Sequence, residues 1–383
     1  MATNSISARG RKRWEWEGIS QDKVTVLSDW LQAHAAAAAV DSLAVRGVVE
    51  NCKDFPTFQL PVSQLASLRS LDLQYMTVAV QAGADTQTTP PNLPPELSGI
   101  TRLRLWGARV GLSTLPAFTN LQHLALTVGK TVDSSRGLSS LVQLTHLHMS
   151  LSSEHDAVLA SVSSLTCLQE LEVEGGYTAD GLAALPLSLT KLCVSGKVTL
   201  APDSTPAVAQ LTALRWLQVT EAAGFSTAVL CSMSSLQHLA VQYSPLLSSA
   251  TAGGDDDGEA RGVDLTVFSA LTQLQHFELL VGDTEHAAAD TETNAAGLTA
   301  SRQLTCLIIE GLVTQQHYRK MFRKGRQLPQ LKKLRATMGV LGTRRDAEAL
   351  VGCCPNLEHV DLSTGEHTLF VIGCHPTGCN PIC

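Results

Sequence analysis

The hydrophobic positions of this chain follow one short template, which is clearest over residues 141–149. There the sequence Leu-Val-Gln-Leu-Thr-His-Leu-His-Met places apolar side chains at the first, fourth, seventh and ninth positions. The same order recurs over residues 165–173 and over residues 271–279. The last apolar positions alternate with polar ones, which predicts a short strand with one buried face and one exposed face. The template therefore predicts a turn followed by a strand.

The strand part of the template can be placed thirteen times between residues 40 and 365. Its first apolar position falls at Val40, Leu68, Ile100, Leu121, Leu144, Leu168, Leu189, Leu214, Leu236, Leu274, Leu304, Leu331 and Leu357. From Ile100 to Leu236 consecutive positions are 21 to 25 residues apart. Longer steps place insertions near residues 81–95, 246–264 and 283–297. We assign these insertions to surface loops, because extra loop length costs little closure entropy.

The phrase Leu-x-x-Leu-x-Leu at this period resembles the strand of leucine-rich repeat proteins. Residues 93–105 are similar to the plant-type repeat, and residues 350–362 resemble the cysteine-containing repeats found behind F-boxes. The phrasing rich in Ala, Ser and Gly resembles leucine-rich repeat proteins of green algae. The resemblance implies an α/β solenoid of about thirteen repeats. It is expected to be curved, with a parallel sheet on its concave face and short helices and loops on its convex face.

The two ends of the chain depart from the repeat pattern. Residues 1–13 are rich in Ser and Arg without an apolar period, which predicts a disordered tail. Residues 14–39 predict an N-terminal helical cap, in which Val24, Leu27, Trp30 and Leu31 share one helix face. Such a cap is needed to cover the open end of a repeat array. The array itself is assigned to residues 40–365, and residues 366–383 are predicted to be a C-terminal tail.

Composition narrows the function and the compartment. Hydrophobic residues make up 44% of the chain but aromatic residues only 4%, so the core is expected to be aliphatic. The net charge of -7 argues against a nucleic-acid partner. The basic N-terminus is not followed by the apolar core of a secretory signal, and no apolar run is long enough for a membrane helix. We therefore expect a cytoplasmic protein, not secreted and not inserted into a membrane, whose ten scattered cysteines are reduced.

In each predicted strand, the residues before, between and after the last two apolar positions point away from the core. We predict that a protein partner binds this concave face. The residues predicted to bind it are Arg102, Arg104, Trp106, His123, His146, His148, Glu170, Glu172, Trp216, Lys333 and Arg335. Charge is zoned along the face, and Arg and Trp are common interface anchors. The alternative is that exposed repeat positions vary freely and carry no function.

The histidines of this face suggest two kinds of chemistry, metal binding and pH sensitivity. His146 and His148 beside Glu170 and Glu172 have the donor atoms for a divalent metal. Because histidine also belongs to the repeated phrase Leu-Gln-His-Leu, we predict no metal and no cofactor. Clustered histidines also predict partner binding that changes near pH 6.

No motif for catalysis is present in the sequence: there is no phosphate-binding glycine loop, no serine nucleophile motif and no spaced carboxylate pair. Cys353 or Cys354 could form a catalytic thiol–imidazole pair with His359, but a separation of five or six residues is weak evidence for one. The prediction is a non-enzymatic scaffold, monomeric within a complex.

A second hypothesis is an adaptor or regulatory subunit. It would dock through the N-terminal helix and the basic segment 318–335, whose residues Tyr318 and Phe322 are four apart. The resemblances suggest a cytoskeletal, cilium-axoneme or ubiquitin-ligase setting, although no F-box precedes the array. For the basic segment, the competing interpretation is a convex helix whose two aromatic side chains pack inward.

Overall fold

In the computed structural model the chain forms two compact units. Unit 1 comprises Met1–Gly175 and Ala184–Ser188, and unit 2 comprises Gly176–Ala183 and Leu189–Cys383. The structure describes residues 2–6, 12–38, 40–47, 56–60, 65–79, 93–107, 115–128, 135–151, 156–175, 177–178, 185–199, 209–223, 230, 232–242, 265–280, 297, 299–313, 315–323, 325, 327–338, 344–363 and 368–371. Each unit is built on its own run of parallel strands, and each is described by itself.

The sheet of unit 1 runs in the order β2-β3-β5-β7-β8-β9-β10, with all neighbours parallel. The strands of unit 1 are β1 (Ala2–Ile6), β2 (Lys12–Ile19), β3 (Val40–Gly47), β4 (Thr57–Gln59), β5 (Ser70–Gln74), β6 (Thr77–Ala79), β7 (Arg102–Trp106), β8 (His123–Val128), β9 (His146–Leu151) and β10 (Glu170–Gly175). Its helices are α1 (Gln21–Ala38), α2 (Ser135–Leu138) and α3 (Asp156–Val162), with 3-10 turns at Pro95–Leu97 and Leu115–Ala117. Strands β4 and β6 form a separate parallel pair.

Unit 2 repeats this arrangement, with parallel neighbours from β12 to β18. Its strands are β11 (Tyr177–Thr178), β12 (Lys191–Thr199), β13 (Trp216–Ala223), β14 (His238–Gln242), β15 (His276–Leu280), β16 (Cys306–Val313), β17 (Lys333–Met338), β18 (His359–Ser363) and β19 (Thr368–Val371). Its helices are α4 (Gln315–Met321) and α5 (Arg344–Cys353), with a 3-10 helix at Leu265–Ala270.

The alternation within each strand determines what is buried. In β9 and the turn before it, Leu144, Leu147 and Met149 are at most 2% exposed, whereas His146 and His148 lie on the other side of the sheet and are partly exposed. Burying such aliphatic side chains is the main stabilising contribution to the fold, at about 1.5–3 kcal/mol for each one. The structure has a strand at each of the thirteen positions where the template placed one.

Neighbouring strands in each unit start in the same register because the turn before each strand bonds to the previous turn. The backbone N–H groups of Thr145 and His146 both donate to the carbonyl of Gln122, at 2.9 and 3.0 Å. The same pairing recurs one strand further along, where Gln169 and Glu170 donate to the carbonyl of Thr145. Side chains at equal template positions are therefore direct neighbours across strands.

The N-terminus differs from the predicted disordered tail. Residues 2–6 and 12–19 form strands β1 and β2, which pair antiparallel, and β2 then pairs parallel with β3. Trp14 is 4% exposed and packs against Trp16 and Trp30, with ring centroids 5.9 and 4.7 Å away. Residues 14–19 belong to the predicted helical cap, but they form part of β2, in which Trp14 and Trp16 alternate with charged residues. The predicted helix is present as α1, which buries Val24 and Leu27.

Beyond the array, β19 pairs antiparallel with β18, within the segment that was predicted to be a tail. The predicted insertion at 246–264 lies outside the described residues, as do 81–92, 283–296, 366–367 and 372–383. Among the helices in the described part of the chain, none is both long and apolar enough to cross a membrane.

The basic segment belongs to unit 2. Tyr318 and Phe322 are each 1% exposed, and their rings contact one another at a tilt of 51°, which agrees with the interpretation of inward-packed aromatic side chains. Arg319 donates two hydrogen bonds, of 2.8 and 3.3 Å, to the buried carboxylate of Asp346 on α5. This part of the basic segment therefore holds α4 against α5.

Candidate functional site

The outer sheet face is defined here as the side of each sheet that carries the three outward positions of every repeat. In unit 1 the first of these positions reads, from β3 to β10, Ser42, Ser70, Arg102, His123, His146 and Glu170. The second reads Ala44, Asp72, Arg104, Ala125, His148 and Glu172. The residues predicted in unit 1 as partner-binding therefore lie together on β7 to β10.

Strand β7 carries the basic patch, which consists of Arg102, Arg104 and Trp106. Both arginines are exposed and Trp106 is half-buried. The guanidinium carbon of Arg104 lies 6.0 Å from the centroid of the Trp106 ring, within reach of a cation–π contact. Arg104 also approaches Asp72 on β5, at 4.0 Å. Burial raises the pKa of Asp72, although a hydrogen bond from Gln74 and the nearby arginines oppose that rise.

Next to this patch is a polar depression of about 130 Å³ that the sequence analysis did not identify. Arg13, Glu17, Arg46, Asp72 and Gln74 contribute to its lining. These side chains pair with one another: Arg46 donates to Gln74 at 2.9 Å and approaches Glu17 at 3.4 Å. Opposite charges on β2, β3 and β5 therefore balance within the depression. Two of the lining residues could have been identified from the sequence, because Arg46 and Gln74 occupy the third outward position of their repeats.

Strands β8 to β10 bring the predicted histidines and glutamates together. The rings of His123 and His146 stack at 4.1 Å. Burial, followed by the neighbouring His146, lowers the pKa of His123. The Nε2 atom of His146 lies 3.2 Å from Glu170, while its Nδ1 is 2.8 Å from the hydroxyl of Thr145.

His148 lies at the centre of a second group on the same strands. Its Nδ1 atom is 3.6 Å from Glu172 and its Nε2 atom is 3.5 Å from Glu174. The ring of Trp106 meets the His148 ring edge-on at 4.8 Å, although the two residues are two strands apart. On β8 between them, Ala125 pairs with both Arg104 and His148, and its small side chain leaves room for this contact. The predicted basic and acidic zones thus meet at His148.

In unit 2 the first outward position gives a stack of rings. Trp216 stacks on His238 at 3.4 Å, and His238 stacks on His276 at 4.1 Å, with ring planes within 10° of parallel. Lys191 lies 5.7 Å from the centroid of the Trp216 ring. Burial, followed by the charges of His276 and Lys191, lowers the pKa of His238 to about 4. Burial also lowers the pKa of His276, against the opposing effect of Glu278. We call Trp216, His238 and His276 the ring stack.

The second predicted basic zone, Lys333 and Arg335, is partly neutralised in the structure. Arg335 lies 3.0 Å from Glu310 on β16 and 3.5 Å from Asp361 on β18. Lys333 is exposed at the first outward position, between Cys306 and His359. Arg335 is therefore part of a charge-paired row, although both cations are exposed.

The thiols considered for catalysis are buried in unit 2. Cys353 and Cys354 are each 2% exposed, and the thiol of Cys353 donates to the carbonyl of Arg323 at 3.4 Å. Burial raises the pKa of the Cys354 thiol to about 12. Because the thiolate is the nucleophilic form, a buried thiol with a raised pKa is unsuited to nucleophilic catalysis at neutral pH.

Three solved structures are similar to this chain in fold. An internalin from Listeria monocytogenes matches over 90% of this chain and 94% of its own, at 15% identity and a TM-score of 0.51. TLR13, solved in a complex with ssRNA13, matches over 90% of this chain and 53% of its own, at 15% identity and a TM-score of 0.50. The plant peptide hormone receptor RGFR1, solved with RGF2, matches over 94% of this chain and 64% of its own, at 14% identity and a TM-score of 0.38.

Searches of protein-family models and of curated proteins found no match. The parallel sheets, the repeat spacing and the first two structural likenesses together define an α/β leucine-rich repeat solenoid. The fold class predicted from the leucine template is confirmed.

Proposed function

We propose that this chain is a non-enzymatic scaffold that binds a protein partner through the outer sheet face of unit 1. The observation that carries the proposal is the clustering of charged and aromatic side chains on four adjacent strands, β7 to β10. Neighbouring parallel strands are about 4.8 Å apart, so these four strands form a continuous strip about 15 Å wide, which would be the central part of a protein contact.

The chemistry of the face describes the partner that would fit it. Arg102 and Arg104 would pair with carboxylates, and Trp106 offers an apolar ring beside them. Glu170 and Glu172, two strands further on, would meet basic side chains. A partner surface with an acidic part and a basic part, spaced to match, is therefore favoured by charge complementarity. The net charge of -7 disfavours a polyanion as the partner.

The test is affinity capture from a native lysate with the full chain as bait. Replacing Arg102, Arg104 and Trp106 with Ala should reduce the captured partner at least about tenfold, because arginine and tryptophan anchors often carry more than about 2 kcal/mol each. Arg215→Ala with Arg302→Ala is the control, since both residues are exposed arginines in segments that precede strands of unit 2. Equal capture by the triple variant and the control would remove the basic patch from the proposal.

A second candidate is docking through α1, and one observation favours it. Helix α1 exposes Val26, at 68%, and part of Trp30, at 39%, although Val24, Leu27 and Leu31 are buried. An adaptor docked in this way would lose its partner on Val26→Glu and keep it in the basic-patch variant. The first hypothesis predicts the reverse pattern, so the two variants side by side distinguish the hypotheses.

A further inference from the structure

We infer that His148, Glu172 and Glu174 form a binding site for one divalent transition-metal ion, with Zn²⁺ as the best match to the donor atoms. These three residues are called the His–Glu cluster. It lies wholly within unit 1, on β9 and β10. The inference is independent of the proposed protein partner, because it concerns what the isolated chain binds.

The sheet register positions the three side chains. His148 and Glu172 pair directly across β9 and β10, and Glu174 lies two residues further along β10 on the same face. One ligand atom from each residue lies within 4.8 Å of the other two. Strand pairing therefore brings one imidazole and two carboxylates together without help from a loop.

The spacing fits coordination better than direct hydrogen bonding. The nitrogen–oxygen separations of 3.6 and 3.5 Å exceed the roughly 2.7–2.9 Å of a charged hydrogen bond. Two ligands bound tetrahedrally to zinc at about 2.0–2.1 Å are themselves about 3.4 Å apart. The Nε2 atom of His148 and the nearest Glu174 oxygen already have nearly this separation. Glu172 lies beside Nδ1, the other ring nitrogen, so its carboxylate would have to turn toward Nε2 and close by up to about 1.4 Å from within the 4.8 Å spread of the ligand atoms.

The state of the His148 nitrogen supports the same conclusion. Its Nε2 atom is buried and makes no hydrogen bond within the described structure, although a carboxylate oxygen lies 3.5 Å away. Buried polar atoms are normally satisfied, so this nitrogen calls for a ligand. The Trp106 ring packs against the imidazole at 4.8 Å, which restricts its orientation and excludes solvent from one side.

The donor set selects the class of metal. One imidazole nitrogen and two carboxylate oxygens suit zinc and its first-row neighbours better than calcium, which prefers six to eight oxygen ligands. Two carboxylates also match the charge of a divalent ion. A remaining coordination position would be open to water on the outer face.

The structure selects different residues from those that the sequence brought together. The sequence analysis grouped His146, His148, Glu170 and Glu172, and it predicted no metal. In the structure His146 is engaged by His123, Thr145 and Glu170, whereas His148 faces Glu172 and Glu174. His146 is therefore a neighbouring histidine outside the cluster, which makes it the matched control.

The test is a titration of the full, untagged chain with Co²⁺ and then Zn²⁺, after metal removal and alkylation of the cysteines. Wild type should bind one ion per chain, with visible d–d absorption and no sulfur-to-cobalt charge-transfer band. His148→Ala, and Glu172→Gln combined with Glu174→Gln, should each weaken binding by at least about tenfold, whereas His146→Ala should change it less than about twofold. Circular dichroism identifies any variant that fails to fold. If His148→Ala fails to fold, the isosteric Glu→Gln changes still test the inference.

A second readout locates the ion. Bound Co²⁺ should quench the fluorescence of Trp106, because that ring contacts His148. Trp106→Phe should remove the quenched component while one Co²⁺ still binds. No binding by wild type, or equal binding by wild type and both cluster variants, would overturn the inference. So would quenching that persists unchanged in Trp106→Phe.

Discussion

His238 lies between two rings, and replacing it with Phe keeps an aromatic ring in the stack while removing the proton-binding nitrogens. Trp216 covers one side at 3.4 Å and His276 covers the other at 4.1 Å. Burial, His276 and Lys191 all disfavour the protonated form, and they lower the pKa of His238 to about 4. The unfolded chain lacks these effects, so its histidine titrates near the ordinary value of about 6.5.

The sign of the effect follows from linkage. Below about pH 6.5 the unfolded chain binds a proton that the folded chain binds only near pH 4, so the free energy of unfolding falls as the pH drops between these values. The full difference between the pKa of His238 in the folded and unfolded chain predicts that the free energy of unfolding falls by about 2 kcal/mol between pH 7 and pH 5. Because the His238 ring is only half-buried, solvent screening reduces this figure to about 1 kcal/mol.

The assay is urea unfolding of wild type and His238→Phe at pH 7 and pH 5, followed by circular dichroism. The stability of His238→Phe relative to wild type should rise by about 1 kcal/mol on acidification. A histidine-selective NMR titration of wild type should place the midpoint of the His238 ring near 4. A stability difference that is the same at both pH values, or one that falls at pH 5, would refute the reasoning about the ring stack.

Four substitutions test the packing of the fold by urea unfolding. Leu147→Ala removes a side chain that is 2% exposed and should cost about 2–5 kcal/mol, whereas Val142→Ala, at a 49% exposed position, should cost less than about 0.5 kcal/mol. Equal losses would contradict the assignment of buried and exposed positions. Gly47→Ala places a methyl group against the backbone carbonyl of Tyr75 and should cost about 1–3 kcal/mol. Gly352→Ala in α5 meets open space and should gain up to about 1 kcal/mol, so a loss there would contradict the helix assignment.

The leucine template predicted the strands well because its information is periodic. Each repeat buries the same three positions, as Leu144, Leu147 and Met149 show, and the hydrogen bonds between successive turns then bring equal positions into register. Arg102 and His123 occupy the same template position in adjacent repeats, and the structure pairs them. An argument from the period works for any feature that every repeat shares.

The repeat period cannot predict features that occur only once in the chain. Strands β1 and β2 precede the array, and the alternation of Trp14 and Trp16 with charged residues is too short to establish a period. The contact of Trp106 with His148 spans two strands and depends on the small side chain of Ala125. Such contacts depend on side-chain conformations and on neighbours in space, so the repeat alignment alone does not determine them.

The histidines show why the same residue at the same repeat position acquires different chemistry. Where consecutive repeats carry rings, as at His238 and His276, the rings stack and the pKa of each histidine is lowered. Where the next strand carries glutamate, His146 pairs with Glu170 while its ring still stacks on His123. His359 follows Lys333 and is exposed on β18. The register is common to all of these positions, so the identity of the residue on the adjacent strand decides whether a histidine packs, pairs or faces solvent. The function of an outward residue therefore depends on the residues of the adjacent repeat. In unit 1, β9 and β10 are the adjacent strands that together carry the His–Glu cluster, for which we infer a bound metal ion.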